Sequence, residues 1–138
     1  MNVLIIDGQG GGIGRQLVAR IKEELPEVTV NAVGTNSAAT AAMLKAGADS
    51  AATGENAVIV GCRRADVIVG PVGAVIADAL NGEISPAMAL AAAQSPAKRI
   101  LLPFNHCDNL IVGVGDFSPA NLVRSAVAEL RRIAETGA

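Results

Sequence analysis

The sequence contains neither tryptophan nor tyrosine, and it holds only two phenylalanines. The absence of tyrosine excludes every mechanism that needs a phenolic acid or base. Metal-binding and thiol chemistry are equally sparse, with one histidine, His106, and two cysteines, Cys62 and Cys107. A zinc site takes three or four protein ligands, and no CxxC or paired spacing supplies them here, so no metal is expected. Two distant cysteines also form no disulfide framework, which predicts a reducing, cytoplasmic setting. Charge of one sign is missing as well. Eleven Lys and Arg face thirteen Asp and Glu, for a net charge of −2. With no basic run, nucleic acid is not an expected partner. The apolar stretches are interrupted by Asp66, Asp78 and several glycines, so none reaches membrane-spanning length. The chain opens directly on a strand pattern, without a basic leader.

What is present is aliphatic. Half of the 138 residues are hydrophobic (51%) and only 17% are charged, enough apolar content for one domain with a true core. Small aliphatic side chains suit tight helix-on-sheet packing. Their abundance predicts that a second subunit covers part of the apolar surface, giving a homo-oligomer, most simply a dimer.

The hydrophobic periods alternate between strand and helix. Val3 to Asp7 reads as a strand. A helix follows from Gly12 to Leu25, with Ile13, Leu17, Val18, Ile21 and Leu25 on one stripe, and Pro26 ends it. Val28 to Val33 is a second strand. Ser37 to Ala46 is a second helix, capped by Thr35, Asn36 or Ser37 and stopped by Gly47. A short strand is expected near Ala48 to Ala52, then a helix from Gly54 to Arg64 capped by Thr53. Asp66 to Val69 is the next strand, and Gly73 to Leu80 reads as a helix. Ser85-Pro86 and Ser118-Pro119 pair a cap with proline at the first helical position, opening an Ala-rich helix to Gln94 and a long C-terminal helix. Between them, Arg99 to Phe104 is a strand, Asn105 to Asn109 a polar turn, and Leu110 to Val114 an antiparallel return strand. The sum is a single Rossmann-like three-layer α/β domain with a mainly parallel sheet and an antiparallel C-terminal strand.

The most informative segment joins the first strand to the first helix: Gly8-Gln9-Gly10-Gly11-Gly12-Ile13-Gly14. Glycines let a backbone take positive φ and approach a ligand closely. A helix N-terminus adds unpaired N–H groups and partial positive charge, so the expected site binds an anion, most simply a phosphate. The spacing misses G-x-G-x-x-G from Gly8, because residue 13 is Ile. It fits G-x-x-x-G-x-G through Gly8, Gly12 and Gly14, and so resembles the phosphate turn of short-chain dehydrogenases. The resemblance ends there, because those enzymes use a Tyr–Lys pair.

Ligands of open α/β sheets lie beyond the carboxyl ends of the strands. The residues expected along that rim are Gly8 to Gly14, Thr35, Asn36, Thr53, Glu55, Asn56, Pro71 and Gly73. A dinucleotide site usually carries an acid after the second strand for ribose hydroxyls; Thr35 and Asn36 stand there instead. Glu55 is either an acid compensating a helix dipole or a hydroxyl acceptor or general base. Asp7 is expected to brace the glycine loop. His106-Cys107 reads as a polar turn, with His106 a weaker acid/base candidate, and Glu83-Ile84-Ser85-Pro86 as a helix entrance.

Several segments together resemble a bacterial family known only as domain of unknown function 3842. They are Ile6 to Gly14, Gly34-Thr35-Asn36, Met43 to Asp49, Ala52 to Ala57, Gly70-Pro71-Val72-Gly73 and Gly82 to Pro86. The resemblance implies a stand-alone bacterial domain and carries no reaction with it. The residues themselves predict a sensor or accessory domain that binds a nucleotide or another phosphate-containing small molecule, NAD(P) or a mononucleotide included. The alternatives are a small oligomeric enzyme using Glu55 or His106, and a structural protein with an empty Rossmann site.

Overall fold

A computed structural model of the chain describes residues 1–104, 109–115 and 118–137. Five strands form one sheet: β1 (Asn2–Asp7), β2 (Thr29–Gly34), β3 (Ser50–Thr53), β4 (Val67–Pro71) and β5 (Lys98–Leu102). Their order is β3-β2-β1-β4-β5, and every pairing is parallel. The helices are α1 (Gly12–Glu24), α2 (Ser37–Lys45), α3 (Glu55–Arg64), α4 (Pro86–Gln94) and α5 (Pro119–Thr136), with a 3-10 turn at Val72–Val75.

Successive strand side chains point to opposite faces, and β1 shows how this divides the core. Val3 and Ile5 join Leu17, Val18 and Ile21 of α1 and Val127 and Leu130 of α5 on one face. Leu4 and Ile6 join Val58 and Cys62 of α3 and Met88 and Ala92 of α4 on the other. Both faces of the sheet are thus covered, as a parallel sheet requires. Each fully buried aliphatic side chain contributes about 1.5–3 kcal/mol. The chain order reverses at β1: β2 and β3 lie to one side, β4 and β5 to the other. The crevice above β1 and β4 is the place where such sheets bind ligands.

Two helix starts follow the Ser-Pro signals. Ser85 Oγ accepts from the Met88 amide (3.2 Å), and Ser118 Oγ accepts from the Asn121 amide (3.2 Å). Asn36 caps α2, its Oδ1 accepting from the Ala39 amide (2.9 Å). Helix α3 departs from expectation. Its N-cap is Gly54, and no side chain caps it. Thr53 Oγ1 lies 2.7 Å from Thr40 Oγ1 instead.

Two larger expectations are corrected. Leu110 to Val114 is not an antiparallel strand; the sheet is parallel throughout. Leu110 and Val112 are 90% and 97% exposed. Strand propensity reflects packing on a half-buried surface, and this segment, with Leu110 and Val112 almost wholly bare, rests on none and pairs with no strand among the described residues. Gly73 to Leu80 is not a helix either. Only the short 3-10 turn forms, and the chain then takes positive φ at Asp78 (66°), Leu80 (56°), Asn81 (56°) and Gly82 (85°). Leu80 and Ile84 are each 1% exposed; burying both against the α3/α4 side of the core favours a compact turn over a regular helix. No helix among the described residues is long and apolar enough to cross a membrane.

Candidate functional site

Strand β1 ends in Asp7, the one buried polar or charged residue among those described (4% exposed). Its carboxylate braces the glycine loop from below. Oδ1 accepts from the Gly8 amide (2.8 Å), and Oδ2 accepts from the Gly14 amide (2.6 Å). Burial raises the Asp7 pKa above its ordinary value; the two amide bonds oppose that rise, and the nearby Glu83 charge adds to it. The Gly11 amide closes a turn onto the Gly8 carbonyl (2.9 Å), with Gln9 at φ 50°.

The loop glycines divide into two kinds. At Gly14 a Cβ would stand 2.6 Å from Met43 Sδ and 2.8 Å from Asp7 Cβ. Gly11 has φ 71°, and its Cβ would stand 2.8 Å from the Ala39 Cα. Those glycines are required by packing alone. Gly10 and Gly12 are not: each has an ordinary φ, and nothing among the described residues lies within 4 Å of an added Cβ.

Gly8, Gln9, Gly10, Gly12 and Ile13 line a cleft of about 280 Å³, with Asp7, Gln16 of α1, Phe104 after β5 and Pro119 at the start of α5. Among the described residues, the amides of Gly10, Gly12 and Ile13 have no protein acceptor. They sit at the N-terminus of the 13-residue α1, whose first turn holds no acid.

Glu83 is the residue that sequence reasoning undervalued. Its Oε1 accepts from the Gln9 amide (2.9 Å), Thr35 Oγ1 (2.6 Å) and Asn36 Nδ2 (2.7 Å). Partial burial works against its ionisation, but the bonds from Thr35, Gln9 and Asn36 outweigh that and hold the carboxyl below its ordinary range. Asn36 Nδ2 also donates to the Gln9 carbonyl (2.8 Å). The expected ribose residues, Thr35 and Asn36, are therefore engaged with Glu83 and the loop. The available signal was the proximity of Gly82-Glu83 to the Ser85-Pro86 cap, which says nothing of a partner 48 residues away.

The remaining rim residues lie apart from the cleft. Glu55, in the first turn of α3, accepts from Ser85 Oγ on Oε2 (2.6 Å). Asn56 is exposed, and Pro71 and Gly73 are buried where β4 passes into the 3-10 turn. His106 and Cys107 lie outside the described residues. Cys62 is buried among α3 and α4 residues, and burial pushes its thiol up to about 11. No cluster of three or more metal-ligating side chains is found among the described residues.

A crystal structure described as a dodecameric FMN-dependent UbiX-like decarboxylase from Escherichia coli O157:H7 is similar in fold. Its TM-score is 0.46 at 16% identity, over 100% of this chain and 95% of that chain. At that similarity neither its cofactor nor its assembly is carried over. No curated protein matches the chain. The family model described as domain of unknown function (DUF3842) matches residues 2–135, and the chain belongs to that family.

Proposed function

We propose that this domain binds the phosphate group of a small molecule on the amides of Gly10, Gly12 and Ile13, as a sensor or accessory domain. One observation carries the proposal: three residues whose amides have no protein acceptor among the described residues line an open cleft, and two of them are glycines that packing among the described residues does not require. Ile13 is buried, and buried N–H groups are normally satisfied; Gly10 and Gly12 are exposed, and amides at a helix N-terminus are satisfied well by an anion. Gly10 and Gly12 leave room for that anion to approach the backbone. The cleft volume lies at the small end for ligand sites, which favours a mononucleotide or sugar phosphate over a dinucleotide such as NAD(P). Phe104 on the cleft wall offers an apolar face to the rest of the ligand.

The absence of Trp and Tyr makes the test simple, because the bare protein absorbs almost nothing at 280 nm. Native protein purified from its own cells is expected to release a phosphate compound on denaturation, identified by mass spectrometry and, for a nucleotide, by a band near 260 nm. A Cβ added at Gly12 meets nothing within 4 Å among the described residues, so Gly12→Val adds bulk beside the cleft where packing has room for it. It is expected to fold normally and to lose the ligand. Equal retention by wild type and Gly12→Val would refute the assignment.

A further inference from the structure

The glycine loop meets a second polar feature, Glu83, which does not itself line the cleft but borders Gly8, a residue that does: Oε1 lies 3.1 Å from where a Gly8 Cβ would stand. Glu83 reaches the loop from the β4–α4 connection, and three donors converge on one of its two oxygens. Oε1 is saturated by the Gln9 amide, the Thr35 hydroxyl and the Asn36 amide. Oε2 accepts no hydrogen bond among the described residues, and Glu83 as a whole is partly exposed. A carboxylate held in this way is fixed in position and ionised, with one oxygen still open.

Its place in the fold matters. Thr35 follows β2 directly and its amide donates to the Asp7 carbonyl (3.0 Å), so Glu83 sits over the ends of β1 and β2. In dinucleotide folds that place belongs to an acid that accepts from ribose hydroxyls. Here no acid follows β2 in sequence. The carboxylate arrives from a turn 48 residues further on, and Thr35 and Asn36 serve as its anchors. A segment with left-handed backbone at Asp78, Leu80 and Asn81 delivers it; such strain is kept where the surrounding structure demands that position.

We propose that Glu83 Oε2 accepts a hydrogen bond from a hydroxyl of the bound ligand, so that the site takes a polyhydroxylated phosphate ester, a sugar phosphate or the ribose phosphate of a nucleotide. Thr35 and Asn36 are positioning residues for that carboxylate. The inference rests on the phosphate site proposed above. A hydrogen bond to an ionised acceptor is worth about tenfold in affinity.

The test compares ribose 5-phosphate with n-pentyl phosphate, which keeps the chain length and phosphate but has no hydroxyls. Calorimetric titration of ligand-free wild type is expected to favour ribose 5-phosphate by about tenfold. Glu83→Gln keeps an oxygen for the three donors and replaces the open acceptor with an amide group. That variant is expected to bind both esters with the affinity wild type has for pentyl phosphate. If wild type binds the two esters equally, or Glu83→Gln keeps the preference, the role of Glu83 is overturned while the phosphate site stands. If wild type binds neither ester nor inorganic phosphate, the phosphate site falls and the Glu83 proposal falls with it.

Discussion

Asp7 and Glu83 are two carboxylates around one loop, and their environments push them in opposite directions. Asp7 is raised, chiefly by burial; Glu83 is lowered by the donors converging on Oε1. The linkage to stability follows for each. Glu83 stabilises the folded state fully above its ordinary value of 4.5, and that contribution is lost as pH falls through its lower folded value. Asp7 acts the other way: its relative contribution is full below 3.8 and is lost as pH rises through its raised folded value. Replacing Glu83 with Gln removes the first effect and, of the second, only its smallest contribution, the Glu83 charge near Asp7. In urea melts from neutral pH down to about pH 3, Glu83→Gln should lose less stability than wild type. Identical acid slopes would mean that the carboxylate gains nothing from its three donors when folded. The Asp7 brace was legible in the sequence because a residue ending β1 can reach only the loop that follows it. The Glu83 contact was not, because it depends on the path of the chain from β4 to α4.

At the scale of elements, that connection is where sequence reasoning and structure part. Val72 to Leu80 carries helix-compatible residues, and local propensity alone favours a helix. Tertiary burial overrides it: Leu80 is 1% exposed at φ 56°, in contact with the space an added Gly8 Cβ would need. Leu80 therefore anchors the turn that presents Glu83. Leu80→Ala should destabilise the protein by about 2–5 kcal/mol, the usual range for a buried leucine, measured by chemical denaturation. A cost below about 1 kcal/mol would show that the turn holds its shape without this anchor. Elsewhere local signals sufficed. The Ser-Pro pairs start α4 and α5 as expected, and the Ile13–Leu17–Ile21 stripe faces the core. The expected return strand that does not form has a complementary cause: Leu110 to Val114 has strand-type composition, but Leu110 and Val112 stay bare and nothing among the described residues gives them a half-buried surface.

For the whole molecule, the apolar surplus noted in the sequence has a partial destination. Most aliphatic side chains enter the two cores, but Leu44, Leu90, Leu110 and Val112 remain 54%, 55%, 90% and 97% exposed. Single exposed leucines are ordinary. Leu110 and Val112 differ, because they lie two residues apart in one segment and are almost wholly bare. Covering that segment with a second copy would remove apolar area at about 25 cal/mol per Å², and closed two-fold assemblies are the commonest outcome for such chains. We therefore expect a homodimer in solution, with a mass twice 13.9 kDa by light scattering coupled to size exclusion. A Leu110→Asp, Val112→Asp double variant should shift the equilibrium to monomer without altering the fold, since neither side chain contributes to the core. A wild type that elutes as a monomer at every concentration would remove the dimer. A variant that stays dimeric would move the interface to the faces carrying Leu44 or Leu90. Neither outcome would disturb the glycine loop, whose open amides and cleft are built within one chain.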